Sequence, residues 1–115
     1  MMHLPTAVAA LSGLANLHRL TAFRLLVRAG PAGLAAGDIA REVGLLPNTL
    51  STHLATLAHA GLVKSRREGR SLVYTADYAG MRELLDYLVE DCCGGHPEIC
   101  APLIAGAASS CGNPQ

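Results

Sequence analysis

Between Gly37 and Val63 the chain reads GDIAREVGLLPNTLSTHLATLAHAGLV, two apolar patterns of helical period joined by only Gly44, Leu45 and Leu46. Glycine accepts the left-handed backbone that ends a helix. Proline is tolerated at the first helical position, where its missing N–H has no partner to lose. Gly44 therefore reads as a stop and Pro47 as a start, which predicts a helix near Ala36–Val43 and a second one from Pro47. The connection has the length of a helix-turn-helix corner.

In the second of these helices Leu50, Leu54 and Leu57 make a buried stripe, and Gly61 suits the C-terminal cap. Asn48, Thr49, Ser51, Thr52, Ala55, Thr56 and His59 are left for the remaining surface, with no acidic residue among them. An ordinary solvated helix face carries Glu and Lys. Short hydroxyl and amide side chains without negative charge suit close approach to base edges and phosphates. Asn48, Thr49, Ser51 and Thr52 are the candidates for base-edge contacts, and Thr56 shares their surface. His53 lies at the border of the stripe and reads as structural or as a phosphate contact.

Upstream, Leu4, Ala7, Val8, Leu11 and Leu14 recur at helical spacing, predicting a first helix near residues 4–15 whose surface carries little charge. A small helix of this kind packs against something, such as a partner subunit. Asn16 is placed to cap a second helix, with Leu20, Phe23 and Val27 inward and Arg19, Arg24 and Arg28 on a solvated outer face. AGPAG breaks it. Downstream, LVKSRREGRSLVYTA predicts two short strands around Glu68-Gly69, with Lys64, Arg66, Arg67 and Arg70 clustered on the hairpin. Met81, Leu84, Leu85, Leu88 and Val89 define a last helix over about 78–91. The expected fold is mainly α with a small β hairpin, in the order of a winged helix-turn-helix: four helices, two strands, one helix.

Formal charge is zero, yet residues 1–76 hold eight Lys or Arg against three acids, while residues 77–115 hold one Arg against six acids. Such asymmetry points to a basic face for a polyanion. No apolar run is long enough to span a bilayer, and LPTAVAALSGLA lacks the positive charge that precedes a secretory signal core. A cytoplasmic protein with no membrane partner is expected. All four cysteines fall in the last quarter, with none upstream to staple to, so metal or thiol chemistry is favoured over a disulfide scaffold.

LANLHRLTAFRLL, GDIAREVGLLPNTLSTHLATLAHAGLV and RREGRSLVYTA together resemble the ArsR/SmtB family of bacterial metal-sensing repressors. The likeness runs from about Leu14 to Leu88. Its most specific parts are Ser51-Thr52-His53-Leu54, Ala60-Gly61-Leu62-Val63 and Arg66-Arg67-Glu68-Gly69-Arg70 leading to Tyr74. The resemblance implies a homodimer joined by its first and last helices, with the fourth helix in the major groove of operator DNA and the hairpin as a wing. Many arsenic sensors of the family carry a Cys-x-Cys pair where this chain has Ala35 and Gly37. Zinc-sensing relatives place Asp and His ligands along the last helix, which here holds no His. Some members instead carry a Cys-Cys pair and a later Cys at the end of that helix as arsenite ligands. This chain is similar to those, with Cys92, Cys93 and Cys100.

Spacing bears on that site. Leu84, Leu88 and Cys92 lie four apart, so Cys92 extends the inward stripe expected of the last helix, and Cys93 follows about 100° round. Gly94-Gly95 allows the chain to reverse and His96-Pro97 stiffens the return, bringing Cys100 back over the pair. Three thiolates suit pyramidal As(III), with Sb(III) an equivalent ligand, as an inducer; no organic cofactor is expected. Zinc, cadmium or lead stays open, because His96 or Cys111 could complete a tetrahedron. So does a thiol redox switch through Cys100. Catalysis is not expected: no Lys or Arg follows Arg82 to cradle an anion beside a cysteine, and no Cys-x-x-Cys is present. Residues 1–100 are expected to form the DNA-binding and dimerisation domain with its metalloid site, and residues 101–115 a flexible tail.

Overall fold

The computed structural model describes residues 2–89. Along the chain run α1 (Leu4–Leu14), α2 (Leu17–Ala29), a single 3-10 turn (Gly30–Ala32), β1 (Leu34–Ala35), α3 (Ala36–Val43), α4 (Pro47–His59), β2 (Val63–Glu68), β3 (Ser71–Ala76) and α5 (Tyr78–Val89). This is the expected winged helix-turn-helix, with one strand more than expected. Residues up to Leu84 form one compact unit, and a second begins at Leu85. Cys92, Cys93, His96, Cys100, Cys111, the boundary at residue 100 and the tail beyond it all lie outside the described residues.

Local chemistry sets the element boundaries. The Asn16 side chain accepts from the backbone N–H of His18 at 3.0 Å and of Arg19 at 3.1 Å, satisfying two donors that open α2. Gly44 adopts the left-handed conformation that ends α3, and Pro47 opens α4. The core lies where the helices meet the sheet: Leu26, Ile39, Leu50, Leu54, Leu57 and Leu62 are almost wholly shielded from water. The stripe expected of α4 is therefore the stripe observed.

Two side-chain expectations shift, in α2 and in α5. In α2 the inward residues are Ala22, Phe23 and Leu26, while Leu20 is exposed and Val27 half-buried. The buried arc is rotated by about one residue, with Ala22 and Leu26 fully shielded from water. In α5 Leu84 is buried but Leu88 is exposed, so the inward stripe stops one turn early. In α1 the small residues Ala7, Ala10 and Gly13 face the core, leaving Leu4 at 63% and Val8 at 56% exposure. Small side chains let α1 lie close to the core, while Leu4, Val8 and Leu11 stay exposed.

The sheet runs β1-β3-β2, antiparallel throughout. β2 pairs with β3 from Val63 opposite Ala76 to Glu68 opposite Ser71, and β1 places Ala35 opposite Val73. The added strand depends on a close approach at Gly33. Gly33 has φ +70°, and a side chain there would run into the Tyr74 carbonyl and the Thr75 methyl. Only glycine lets the turn after α2 come this close to the wing. Truncating fully buried Leu54 to Ala should cost about 2–5 kcal/mol, whereas Leu46→Ala, at a site 75% exposed, should change stability by no more than about 0.5 kcal/mol. Denaturant unfolding of the two variants checks the contrast.

Candidate nucleic-acid interface

α4 is held by its buried leucines, and that fixes what its other side presents. Asn48, Thr49, Ser51 and Thr52 are all exposed, as sequence reasoning placed them, and Thr56 is half-buried. The Thr52 hydroxyl donates to the Asn48 carbonyl at 3.4 Å and the Thr56 hydroxyl to the Thr52 carbonyl at 3.1 Å. With their protons committed to the helix, these hydroxyls offer lone pairs outward, which suits the amino groups of adenine or cytosine. The N-cap is Leu46, which makes no side-chain capping bond, and the first turn holds no acid. The positive end of the helix dipole is therefore uncompensated and favours an anion.

The hairpin supplies exposed cations. Lys64, Arg66, Arg67 and Arg70 are all exposed, but they are not equivalent. The Arg66 Nε donates to Glu68 Oε2 at 2.6 Å, its Nη1 to the Pro31 carbonyl at 3.2 Å and its Nη2 to the Ala32 carbonyl at 2.9 Å. One guanidinium thus ties the wing to the 3-10 turn. Arg66, expected to reach DNA with its neighbours, also braces the hairpin through these three bonds. Among the described residues Lys64, Arg67 and Arg70 carry no such anchor. Arg67 also points to the opposite strand face from Lys64 and Arg66, by strand alternation.

His53 is half-buried and stands apart from the four polar residues. Its Nδ1 lies 3.4 Å from Arg19 Nη1, and its ring centroid is 5.8 Å from that of His18. Burial, and then the charges of Arg19 and His18, hold its pKa below the ordinary 6.5. Arg19, assigned in the sequence to a solvated face, in fact bonds to the end of α1: its Nε donates to the Gly13 carbonyl at 2.6 Å. No periodicity in α2 signals this, because the partner is a backbone atom six residues back. Among the described residues no three of His, Cys, Asp and Glu converge as metal ligands, and no helix is long and apolar enough to cross a membrane.

Comparison with known proteins places residues 14–66 in a family described as a helix-turn-helix domain. The nodulation protein NolR of Rhizobium meliloti is 33% identical over 78 residues, a match spanning 68% of this chain and 62% of NolR. The transcriptional activator HlyU of Vibrio cholerae is 30% identical over 82 residues, spanning 71% of this chain and 73% of HlyU. Among solved structures, the homodimeric winged helix-turn-helix DNA-binding domain Mb0332 of Mycobacterium bovis, described as a possible ArsR-family regulator, superposes with a TM-score of 0.63. It is 28% identical, and the likeness covers 81% of this chain and 86% of that one. These names describe regulatory and nodulation proteins, not catalysts.

The His53 environment gives a pH dependence of known sign. Because the folded protein holds this imidazole neutral, the unfolded chain takes up the proton first as the pH falls. Its contribution to stability is complete above 6.5, the ordinary value, declines between that value and the lower folded-state one, and levels off below. His53→Asn should flatten this part of the stability profile, measured by thermal unfolding across the acid range.

Proposed function

The chain belongs to the ArsR/SmtB family of winged helix-turn-helix transcriptional regulators, and from that premise we propose that it is a homodimeric repressor of operator DNA, released when trivalent arsenic binds Cys92, Cys93 and Cys100. The observation that carries the DNA-binding part is the acid-free outer surface of α4, together with the exposed cations of the β2–β3 wing. In a dimer the two α4 helices would enter successive major grooves about 34 Å apart on a palindromic site. Asn48, Thr49, Ser51 and Thr52 would read base edges. Lys64, Arg67, Arg70 and the uncapped start of α4 would hold phosphates, while His53 and Arg66 would serve from behind. Such a protein works where its DNA is, in the cytoplasm.

Dimerisation through α1 and α5 is supported by two separate facts. α1 keeps Leu4, Val8 and Leu11 exposed, and α5 keeps Leu85 and Leu88 exposed. Large aliphatic side chains left in water at helical spacing suit a second copy. The homodimeric state of the Mycobacterium bovis domain is in keeping with this.

The arsenic part rests on the sequence: a Cys-Cys pair, a Gly-Gly that permits reversal, and a third Cys seven positions after the second. Trivalent arsenic takes three sulfurs in a pyramid, so closing this loop would stiffen the chain just after α5 and shift the subunits against the half-site spacing. Antimony(III) would act alike. Coupling of about 1–3 kcal/mol would lower DNA affinity roughly 5- to 150-fold, and DNA would weaken arsenite binding by the same factor. A soft divalent metal with His96 or Cys111 as fourth ligand, or a disulfide through Cys100, is the rival reading of the same residues.

Two measurements test this reading. In a gel-shift titration arsenite should release wild-type protein from its operator and leave Cys92→Ser bound; equal release of both would remove the cysteine site from the mechanism. On the operator, Arg67→Ala should reduce the slope of log affinity against log salt by about one phosphate contact, whereas Arg66→Ala should weaken binding and leave the slope unchanged.

A further inference from the structure

Three helices meet at one side chain. Arg19 stands in the first turn of α2, with its Nε 2.6 Å from the Gly13 carbonyl and its Nη2 3.4 Å from the Ser12 carbonyl. Both carbonyls belong to the last turn of α1, the negative end of that helix dipole, where a cation is favoured. The same guanidinium sets Nη1 3.4 Å from Nδ1 of His53, in the middle of α4. The two helices also pack closely here: a Cβ on Gly13 would lie 3.2 Å from the Ala60 Cβ, just past the end of α4.

The charges around the His53 ring are of one sign. α2 contributes Arg19 and, at 5.8 Å between ring centroids, His18. α1 contributes only the Ser12 and Gly13 carbonyls, which hold the guanidinium in place. None of α1, α2 and α4 contains an Asp or Glu. With its Nδ1 unprotonated, the imidazole accepts from Arg19; once protonated it has lost that lone pair and faces a cation with no carboxylate to offset it.

We propose that Arg19 is a positioning residue that clamps the end of α1 to the middle of α4, so that the seating of the DNA-reading helix follows the state of the first helix and of the His53 ring. This rests on the DNA-binding reading above. A displacement of α1 at a subunit interface would move the Gly13 carbonyl and, through one rigid guanidinium, the body of α4. Protonation of His53 would open the same clamp from the other side. Arg19 touches no base in this scheme. It differs from a phosphate contact in a way that salt reveals.

The test uses full-length protein and a duplex that the wild-type protein selects from a random pool. Affinity is measured against salt and pH for wild type, Arg19→Lys, Arg19→Ala and His53→Asn, with thermal unfolding as a check on folding. Arg19→Lys keeps the charge but cannot fork across three acceptors. It should bind on the order of tenfold more weakly with an unchanged salt slope. The His53 imidazole, followed by proton NMR, should titrate closer to its ordinary value in Arg19→Ala. His53→Asn keeps an acceptor that does not titrate, so its operator affinity should hold in mild acid where the wild type weakens. Wild-type affinity in Arg19→Lys, a salt slope lower by about one in Arg19→Ala, or an acid profile in His53→Asn matching wild type would each overturn the clamp. A wild-type protein that selects no duplex would overturn the DNA-binding reading and the clamp with it.

Discussion

Burial of Leu50, Leu54 and Leu57 beneath α4 is the contact on which the arrangement of the whole surface turns. A helix has one rotational setting that hides three such residues together. Once they are hidden, Asn48, Thr49, Ser51 and Thr52 have no choice but to face water. Burying each leucine contributes on the order of 1.5–3 kcal/mol. No single hydroxyl contact on the far side competes with that. Polar presentation is therefore set by apolar packing, and the reading surface is as stiff as the core beneath it.

The cations divide into two kinds that composition cannot separate. Arg19 and Arg66 each spend their donors on backbone carbonyls, of Ser12 and Gly13 in one case and of Pro31 and Ala32 in the other. A planar guanidinium with fixed fork geometry can serve two acceptors at once, where a lysine ammonium would act as a point charge. Lys64, Arg67 and Arg70 remain exposed, with no such bond among the described residues. Exposed charges of that kind contribute little to stability, which leaves them available for a polyanion.

Much of this was legible in the sequence. The stop at Gly44, the start at Pro47, the cap at Asn16 and the stripe of α4 are local signals, and each appears where the residues put it. The same holds for Asn48, Thr49, Ser51 and Thr52. Properties that depend on distant partners were not legible. β1 exists because Gly33 approaches Tyr74, forty-one positions later in the chain. The inward set of α2 was displaced because periodicity gives a repeat but not its phase, and Leu20 and Val27 fit the repeat as well as Ala22 and Leu26 do. Arg19 looked like a solvated charge, and the bonds of Arg66 to residues 31 and 32 went unseen, because a bond to a backbone carbonyl leaves no mark on the identity of the residue that accepts it.

Gripping main-chain oxygens also bears on how such a wing can diversify. Arg66 holds residues 31 and 32 by atoms that every amino acid possesses. Those two positions are free to drift so long as Gly30 and Gly33 preserve the bend on either side. The hairpin tip is anchored independently of its own composition beyond Glu68. A lineage can therefore retune the tip for a different DNA target, one charge at a time, without reworking the foundation on which it stands.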